Sequence, residues 1–421
     1  MTVPSFADLG LAEPLCRALT ALSYETPTPI QAQSVPALLE GRDMLGIAQT
    51  GTGKTGAFAL PLLQHLAAEP GRAGPKGCRA LILAPTRELA VQIADSLTDY
   101  GRHLRLRHAV ILGGVSQDRQ VRAVARGVDI VVATPGRLLD LVGQGHIRLD
   151  SATRLILDEA DRMLDMGFIK DVRRIIDRMT ARRQSLLFSA TMPEAVAHLA
   201  AEILSEPVRV EVTPKTVAVD RIDQRVFHVP QTNKRALLNR LLDDRSLSRV
   251  IVFTRTKHRA NAVAEQLAKT GVAAEAIHGN KSQNARQKAL DRFRQGRARV
   301  LVATDIAARG IDVDGVSHVI NFELPVEAES YVHRIGRTAR AGADGIALSF
   351  CDPAERPQLR GIEKLIRRRL DEADSVDGLT IAAPANTDQA SAGAKRGGGS
   401  GDASRRNNRP KRNRGPRRRA A

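Results

Sequence analysis

The sequence has few of the residues that build several common kinds of protein. Aromatic residues make up only 3% of its 421 residues and tryptophan is absent, which argues against a protein that reads nucleic-acid bases by stacking. The three cysteines are far apart and form no C-x-x-C or Cys/His cluster, which excludes a disulfide framework and a zinc site and is typical of a reducing cytoplasm. No segment approaches the roughly 20 uninterrupted apolar residues of a membrane helix. The first residues, MTVPSFADLG, lack the basic and apolar regions of a secretory signal. We therefore expect a cytoplasmic protein without membrane contact.

Positive charge, by contrast, is abundant and concentrated near the C-terminus. The formal net charge is +18, and residues 391–421 contain 11 Lys or Arg against the single acid Asp402. A basic tail indicates a polyanionic partner, most simply a nucleic acid, although a tail that only improves solubility would have the same composition. Residues from about 376 onward also lack aromatics and are largely small, polar or basic. We expect this part to be disordered.

The rest of the chain contains two similar series of apolar segments. The runs at 80–83 and 131–134 recur at 250–253 and 301–304, in each case 170 residues later. Short β-branched runs between amphipathic stretches are typical of buried parallel strands in βαβ units. The fixed offset indicates two similar α/β domains side by side, although chance similarity between buried strands would also produce isolated matches.

A polar segment, VEVTPKTVAVDRID, separates the two series and has no helical period. We interpret it as an extended linker. The predicted organisation is an N-terminal domain over residues 1–209, a linker over 210–222, a C-terminal domain over 223–370 and a disordered basic tail over 371–421.

A glycine-rich loop, AQTGTGKTGAF, follows the first predicted strand and precedes a helical stretch. Gly51 and Gly53 allow backbone N–H groups to turn towards phosphates, Lys54 supplies a charge for the terminal phosphates, and the Thr55 hydroxyl is a ligand for Mg²⁺. The pattern G-x-x-x-x-G-K-T is met except at its first position, Ala48. The predicted nucleotide-binding residues of the loop are Ala48, Gln49, Thr50, Gly51, Thr52, Gly53, Lys54 and Thr55.

The tetrapeptide DEAD occurs twice. The first copy, at 158–161, follows the apolar run LIL, whereas the second, at 371–374, follows three arginines and a leucine. A carboxylate at the carboxyl end of a buried strand is where an α/β ATPase holds Mg²⁺, so we assign Asp158 to the metal and Glu159 to the attacking water. We expect the second copy to end a basic helix, with its acids paired to arginines at the surface.

With these motifs in order, the sequence resembles the DEAD-box RNA helicases of superfamily 2, and most closely their bacterial RhlE-type members. The resemblance covers roughly residues 5 to 365 and implies two tandem RecA-like domains, with parallel sheets flanked by helices, that bind ATP and RNA. FADLGL and PTPIQ resemble the family's Q motif, in which Gln31 would read the adenine edge and Phe6 and Tyr24 would lie near the base. The glycine usual before that aromatic residue is Ser23 here.

Several further segments resemble the RNA contacts of the family. They are PTRELA, a Gly-Gly pair and TPGR in the first half, and FTRT, HGNKSQNAR and ATDIAARGID in the second. With so few aromatics, binding should depend on phosphates and 2′-hydroxyls and be largely independent of base sequence. The implied RNA-binding residues are Pro85, Thr86, Arg87, Gly113, Gly114, Thr134, Pro135, Gly136, Arg137, Thr254, Arg255, Gly279, Arg286 and Thr304.

The resemblance also implies roles in catalysis and coupling. HRIGRTAR is similar to the arginine-finger motif, in which Arg337 and Arg340 would reach the γ-phosphate only when the domains close; the usual glycine between them is Ala339. Asp305 would contact the ribose. SAT resembles the element that links ATP state to RNA binding. The implied coupling residues are Asp161, Ser189, Thr191 and His333.

The sequence therefore predicts an ATP-dependent RNA helicase, with Mg²⁺ as cofactor, that couples RNA-stimulated ATP hydrolysis to the remodelling of short duplexes and ribonucleoproteins. If the arginine fingers lie on a second domain, hydrolysis depends on domain closure, which an RNA bound across the cleft would favour. Two alternatives stay open, a superfamily 2 DNA helicase and a non-catalytic, ATP-gated RNA clamp or scaffold. We expect a monomer whose basic tail tethers RNA and whose partners are a ribosomal precursor or an RNA-decay complex.

Overall fold

Two seven-stranded parallel sheets form the centre of the protein. The computed structural model describes residues 4–49, 51–69, 71–212, 222–308, 313, 315–339 and 345–373. These residues belong to one unit, 1–382, and the second unit, 383–421, lies wholly outside them. The predictions for the tail beyond residue 373, for Thr50 and for Arg340 therefore fall outside the described residues. No helix in the described ranges is long and apolar enough to cross a membrane.

The first lobe comprises the described residues up to 212. Its strands are β1 (Met44–Ala48), β2 (Cys78–Leu83), β3 (His108–Ile111), β4 (Val128–Ala133), β5 (Arg154–Leu157), β6 (Gln184–Ser189) and β7 (Val208–Val212). Its helices are α1 (Glu13–Ala21), α2 (Pro29–Leu39), α3 (Lys54–Ala68), α4 (Arg87–Tyr100), α5 (Gln117–Val124), α6 (Pro135–Gly143), α7 (Ala160–Asp165), α8 (Ile169–Ile176) and α9 (Glu194–Ile203). The strand order is β3-β4-β2-β5-β6-β1-β7.

The second lobe comprises the described residues from 222 onward. Its strands are β8 (Ile222–His228), β9 (Val250–Thr254), β10 (Ala274–Ile277), β11 (Val300–Thr304), β12 (His318–Asn321), β13 (Gly345–Cys351) and β14 (Asp371–Glu372). Its helices are α10 (Lys234–Asp243), α11 (Lys257–Lys269), α12 (Gln283–Arg294), α13 (Asp305–Ala308), α14 (Ala328–Ile335) and α15 (Arg356–Ile366), with a 3₁₀ turn at Pro353–Glu355. The strand order is β10-β11-β9-β12-β13-β8-β14.

The two sheets have the same topology position by position, so the predicted α/β repeat is confirmed. The apolar runs 170 residues apart form β2 with β9 and β4 with β11. The correspondence extends to helix capping: the Thr86 hydroxyl accepts from Leu89 N at the start of α4, and the Thr256 hydroxyl accepts from Arg259 N at the start of α11. Each cap satisfies one of the free N–H groups of its helix.

Helices cover both faces of each sheet, which is why the central strands are apolar without alternation. The strands β4, β6, β9 and β11 are buried along their whole length. Separate hydrophobic clusters lie on the two faces of the first sheet, and three more surround the second. This confirms the predicted fold class of tandem parallel sheets flanked by helices.

Two predicted boundaries differ from the structure. The ends of the predicted linker belong to strands, since β7 extends to Val212 and β8 begins at Ile222, while residues 213–221 lie outside the described part. The second boundary is the one at 370/371 between the C-terminal domain and the predicted tail, since Asp371 and Glu372 belong to the second sheet, and the second DEAD copy does not end a helix. Helix α15 ends at Ile366, Arg367 takes a left-handed conformation (φ 56°) and Leu370 is buried, so Asp371 and Glu372 leave the helix and pair with β8 as an edge strand.

Candidate nucleotide site and adjoining groove

The phosphate loop connects β1 to α3 at the carboxyl edge of the first sheet. Gly51 and Gly53 both have positive φ, of 85° and 92°. A Cβ on Gly53 would lie 2.7 Å from the Thr28 hydroxyl and from the Gln31 amide nitrogen, so only glycine fits there. Lys54, the first residue of α3, is only 6% exposed, and its Nζ has no hydrogen-bond partner among the described residues. A buried ammonium without a hydrogen-bond acceptor fits a site that receives phosphate oxygens.

Gln31 lies directly against this loop. Thr28 caps α2, and its backbone N–H donates to Gln31 Oε1 at 2.9 Å, while Gln31 Nε2 donates to the carbonyl of Gly53 at 3.1 Å. An amide group has two donors and two acceptor positions, so one of each stays available for the adenine edge. Phe6 is buried nearby in the first lobe's core, and Tyr24 is 48% exposed with its ring 6.3 Å from that of Tyr100.

The first DEAD copy begins where β5 ends, and β5 lies between β2 and β6 in the middle of the sheet. Asp158 is buried and accepts from Glu159 N at 3.0 Å, and Glu159 has a left-handed backbone (φ 54°) at the start of α7. Burial, with a smaller contribution from Glu159, raises the pKa of Asp158 to about 6, and Lys54 opposes this rise. The copy at 371–374 lacks this setting, because β14 is at the sheet's edge and its two residues are exposed.

Thr55 and Asp158 fit a magnesium site better than the site of a tightly coordinated metal. No group of three or more His, Cys, Asp or Glu in the described ranges could hold an ion. One hydroxyl and one buried carboxylate are a donor set that suits Mg²⁺, which keeps several waters and shares substrate phosphates. Gln49 and Thr52 complete the loop, where the Thr52 hydroxyl donates to the carbonyl of Gln49 at 2.8 Å.

Asp161 connects the DEAD segment to the end of β6. Its Oδ2 accepts from Ala190 N at 3.2 Å and from both the backbone N and the hydroxyl of Thr191 at 3.0 Å. Its own N–H donates to the Ser189 hydroxyl, which in turn donates to the carbonyl of Thr191 at 2.6 Å. The SAT segment therefore contacts a carboxylate of the DEAD segment directly.

Arg337 belongs to the second lobe and lies close to the DEAD segment of the first. It is buried, its Nε donates to the carbonyl of His333, and Arg162 and Glu159 both act on its charge. Burial lowers the pKa of Arg337 to about 10, with a further lowering by Arg162 and an opposing effect of Glu159. Asp305 is paired with Arg334 through two contacts of 2.6 and 2.8 Å, so its carboxylate is already used within the second lobe.

A cavity of about 320 Å³, separate from the phosphate loop, forms a groove between the lobes. Nine of the predicted RNA-binding residues line this groove: Pro85, Thr86, Arg87, Gly113, Thr134, Gly136, Arg137, Gly279 and Arg286. Gly114 is adjacent, and a Cβ there would lie 2.3 Å from Arg87 Nη1. The glycine pair thus leaves room for the Arg87 guanidinium.

Four predicted RNA-binding residues outside the groove lining are placed differently. Thr254 and Thr304 are buried at the ends of β9 and β11, and Pro135 is buried at the start of α6. Arg255 pairs with Glu355 at 2.9 Å inside the second lobe. Its charge is therefore engaged by protein in this structure.

Sequence reasoning missed several residues of this groove. Glu88, Met166 and Phe168 also line it, and Gln283 donates to Glu88 across the lobes at 3.0 Å. Glu88 and Gln283 lie inside PTRELA and HGNKSQNAR, but nothing in these motifs marks an acid as part of a site for phosphates. Met166 and Phe168 follow the DEAD helix with no motif to mark them.

In the second lobe, the lysine at the position equivalent to the phosphate loop is paired with acids of the same lobe. Lys234 begins α10 after β8, as Lys54 begins α3 after β1. Its Nζ donates to the carbonyl of Phe350 at 3.1 Å, contacts Glu355 and lies 3.5 Å from Asp352. Because two acids of the same lobe already compensate this lysine, it is not available to phosphate oxygens in the way that Lys54 is.

The comparisons with known proteins agree with this division into two lobes. A family model described as DEAD/DEAH box helicase matches residues 28–199, and a second, described as helicase conserved C-terminal domain, matches residues 233–342. The chain is 44% identical to the DEAD-box ATP-dependent RNA helicase CshA of Bacillus subtilis over 371 residues. This match covers 88% of this chain and 74% of CshA. CshA of Bacillus cereus is also 44% identical, over 88% of this chain and 70% of its own length.

Two solved structures are similar across both sheets. Dbp5 of S. cerevisiae bound to RNA and ADP BeF3 has a TM-score of 0.77 at 32% identity, covering 88% of this chain and 95% of that one. Mss116p bound to ssRNA and AMP-PNP has a TM-score of 0.78 at 28% identity, covering 89% of this chain and 80% of that one.

Proposed function

The chain belongs to the DEAD-box family of ATP-dependent RNA helicases, and we propose how its own residues divide the work of ATP hydrolysis and RNA binding. The first lobe holds the nucleotide, the second lobe completes the catalytic site, and RNA lies in the groove between them. The RhlE-type subtype stays a prediction, because the relatives compared are named CshA.

The phosphate loop and Gln31 bind ATP in this proposal. Lys54 receives the terminal phosphates, and this role is supported by its buried Nζ, which has no hydrogen-bond partner within the described ranges. Gln31 connects the adenine end to the loop through its bond to Gly53. Thr55 and Asp158 hold Mg²⁺, which when bound neutralises charge on the phosphate oxygens.

Glu159 orients the attacking water and accepts its proton, while Arg337 stabilises the charge that develops on the γ-phosphate. The proximity of Arg337 to Glu159 supports a site assembled from both lobes. Hydrolysis then depends on contact between the lobes. Asp161, held by Thr191 and Ser189, couples the DEAD carboxylates to the end of β6.

RNA binds in the groove through its backbone. Its lining combines Arg87, Arg137 and Arg286 with glycines that let phosphates approach closely. The observation that carries the proposal is that residues of both lobes line this one groove, from Arg87 to Gly279. RNA bound there favours the same lobe contact that hydrolysis needs.

Steady-state ATP hydrolysis with RNA and with DNA of equal sequence tests the proposal. We expect RNA to stimulate hydrolysis well above DNA, and Glu159→Gln to abolish turnover while fluorescent ATP analogues still bind. Equal stimulation by both nucleic acids would favour a DNA helicase. Full unwinding of a short duplex by Glu159→Gln under multiple-turnover conditions would indicate a non-catalytic clamp instead.

A further inference from the structure

Arg162, the residue after the first DEAD copy, is buried beside the catalytic acid. It lies on α7 and is only 5% exposed. Its Nε is 3.2 Å from Glu159 Oε2, and both side chains are almost fully buried. A buried ion pair fixes its partners strongly, because removing either one leaves a charge without compensation.

The same arginine faces the second lobe. It lines a cavity of about 10 Å³ in which the other residues, including Asp305, His333 and Arg337, all belong to the second lobe. It also lines a cavity of about 140 Å³ together with Gln49, Thr191 and Arg337. Arg162 therefore contacts the space where the phosphate loop, the SAT segment and the arginine finger meet.

Two further features distinguish the Arg162–Glu159 pair from a salt bridge that only stabilises the fold. Its Nη1 is buried and has no hydrogen-bond partner in the described part of the chain. The charge of Glu159 also acts on Arg337, so guanidinium groups from both lobes interact with this one carboxylate. A buried donor without a protein partner is costly in a salt bridge that serves stability alone, so it favours a role in the site.

We propose that Arg162 is a positioning residue for ATP hydrolysis, which holds the Glu159 carboxylate through Oε2 in the orientation that receives the attacking water. The inference depends on the proposed role of Glu159. It assigns to Arg162 no contact with ATP itself. A group that acts only by orienting another affects kcat and leaves nucleotide affinity nearly unchanged.

The test compares Arg162→Gln and Arg162→Lys with a matched control, Arg174→Gln. Arg174 also pairs with an acid three residues earlier, Asp171 at 3.9 Å, but at the surface of α8. For Arg162→Gln we expect kcat to fall by about 10²-fold, as for a misplaced catalytic group. The Kd of a fluorescent ATP analogue should stay near the wild-type value. Arg162→Lys should restore part of kcat, and Arg174→Gln should behave as wild type.

A double mutant separates positioning from loss of structure. If Arg162 acts through Glu159, adding Arg162→Gln to Glu159→Gln should lower the residual single-turnover rate little further. An equal fold-loss in both backgrounds would overturn the inference, as would an unchanged kcat. Thermal unfolding without nucleotide identifies a variant that fails to fold. If Arg162→Gln fails to fold, the kcat of Arg162→Lys becomes the test, and a wild-type kcat in that variant would overturn the inference. If the wild type itself shows no RNA-stimulated hydrolysis, the proposed function fails; an active wild type with an unaffected Arg162→Gln refutes this inference alone.

Discussion

Glu88 and Arg286 form an ion pair of 3.0 Å between the two lobes, inside the groove. Glu88 is 2% exposed, and its other carboxylate oxygen accepts from Gln283 at 3.0 Å. Burial lowers the pKa of Arg286, Glu88 opposes this effect, and Arg87 adds to it. The acid thus compensates a buried arginine that also lines the groove, so lobe contact and the charge of the groove depend on the same pair.

Replacing Glu88 by Gln should weaken the response of hydrolysis to RNA. Arg286 would keep its charge without its partner, and breaking one side of a buried pair is strongly destabilising. We expect the RNA concentration for half-maximal ATPase activity to rise by at least about tenfold, which corresponds to about 1.4 kcal/mol. Measuring hydrolysis against RNA concentration checks this. The exposed Glu265→Gln on α11 is the control.

The pair can be verified by a cycle with Arg286→Gln. If the two side chains act together, the double variant should lose less than the two single losses combined. Strictly additive losses would mean that each residue contributes separately and that the contact between lobes is incidental.

The same substitutions should abolish ATPase activity in the first DEAD copy and leave it nearly unchanged in the second. Asp371→Asn with Glu372→Gln should leave ATPase activity within about twofold of wild type, because exposed charges contribute little. Within the part of the chain that the structure describes, this edge strand makes one ion pair, between Glu372 and His228 at 3.7 Å. Asp158→Asn with Glu159→Gln should abolish activity. A large loss from the first double variant would contradict the assignment of chemistry to the copy at the end of β5.

The sequence predicted the strands well because their composition reflects their burial. Continuous β-branched runs have few alternatives to a central parallel strand, and the repeat at 170 residues marked β2 with β9 and β4 with β11. Edge strands carry no such signal. Asp371 and Glu372 form β14 only because a backbone partner, β8, passes beside them, and no local pattern reveals that.

Site residues were predictable where a motif fixes the chemistry. Lys54, Asp158 and Asp161 lie where the phosphate-loop and DEAD patterns suggest. Contacts made across the lobes were not predictable in this way, because they depend on how two lobes meet. Glu88 with Arg286 and Arg162 beside Arg337 are of this kind.

Phe168 should contribute to RNA affinity without contributing charge. Its side chain lines the groove with Met166, although the low aromatic content suggests a purely polar site. We expect Phe168→Ala to weaken RNA binding by about tenfold, within the range for loss of one apolar or stacking contact. The salt dependence of the affinity should stay the same. Titrations of fluorescent RNA at several salt concentrations measure both quantities.

Arg87→Gln is the matched comparison for Phe168→Ala. Losing one phosphate contact to a single strand should reduce the slope of log affinity against log salt by about 0.7. A changed slope for Phe168→Ala, or an unchanged affinity, would contradict an apolar contact with RNA.

Ala339 should tolerate glycine with a gain in stability. The residue has φ 55°, a left-handed conformation that disfavours any Cβ. Removing the Cβ relieves a strain of about 1–2 kcal/mol in the folded state. The greater freedom of glycine in the unfolded chain lowers the free energy of unfolding by only about 0.5–1 kcal/mol. We expect Ala339→Gly to raise the midpoint of urea unfolding slightly. A lowered midpoint would show that the methyl group of Ala339 contributes packing that outweighs the strain.

Stability should fall as the pH drops below about 6.5, the usual pKa of histidine. Burial lowers the pKa of His318, at the start of β12; Asp244 opposes the shift, and Arg299 adds to it. The folded protein therefore binds this proton at lower pH than the unfolded chain does. Above the unfolded pKa neither state is protonated and the group has no effect. Below it the unfolded chain gains the proton first, so the free energy of unfolding decreases with falling pH.

Urea unfolding at pH 7.5 and pH 5.5 measures this effect. His318→Gln should reduce the loss of stability between the two pH values, because it removes one proton that the unfolded chain takes up. His198→Gln, at a side chain that is 68% exposed, is the control and should keep the wild-type loss. Equal losses in wild type and His318→Gln would show that burial does not hold His318 neutral. Burial also lowers the pKa of His108 and His278, so part of the dependence should persist in His318→Gln.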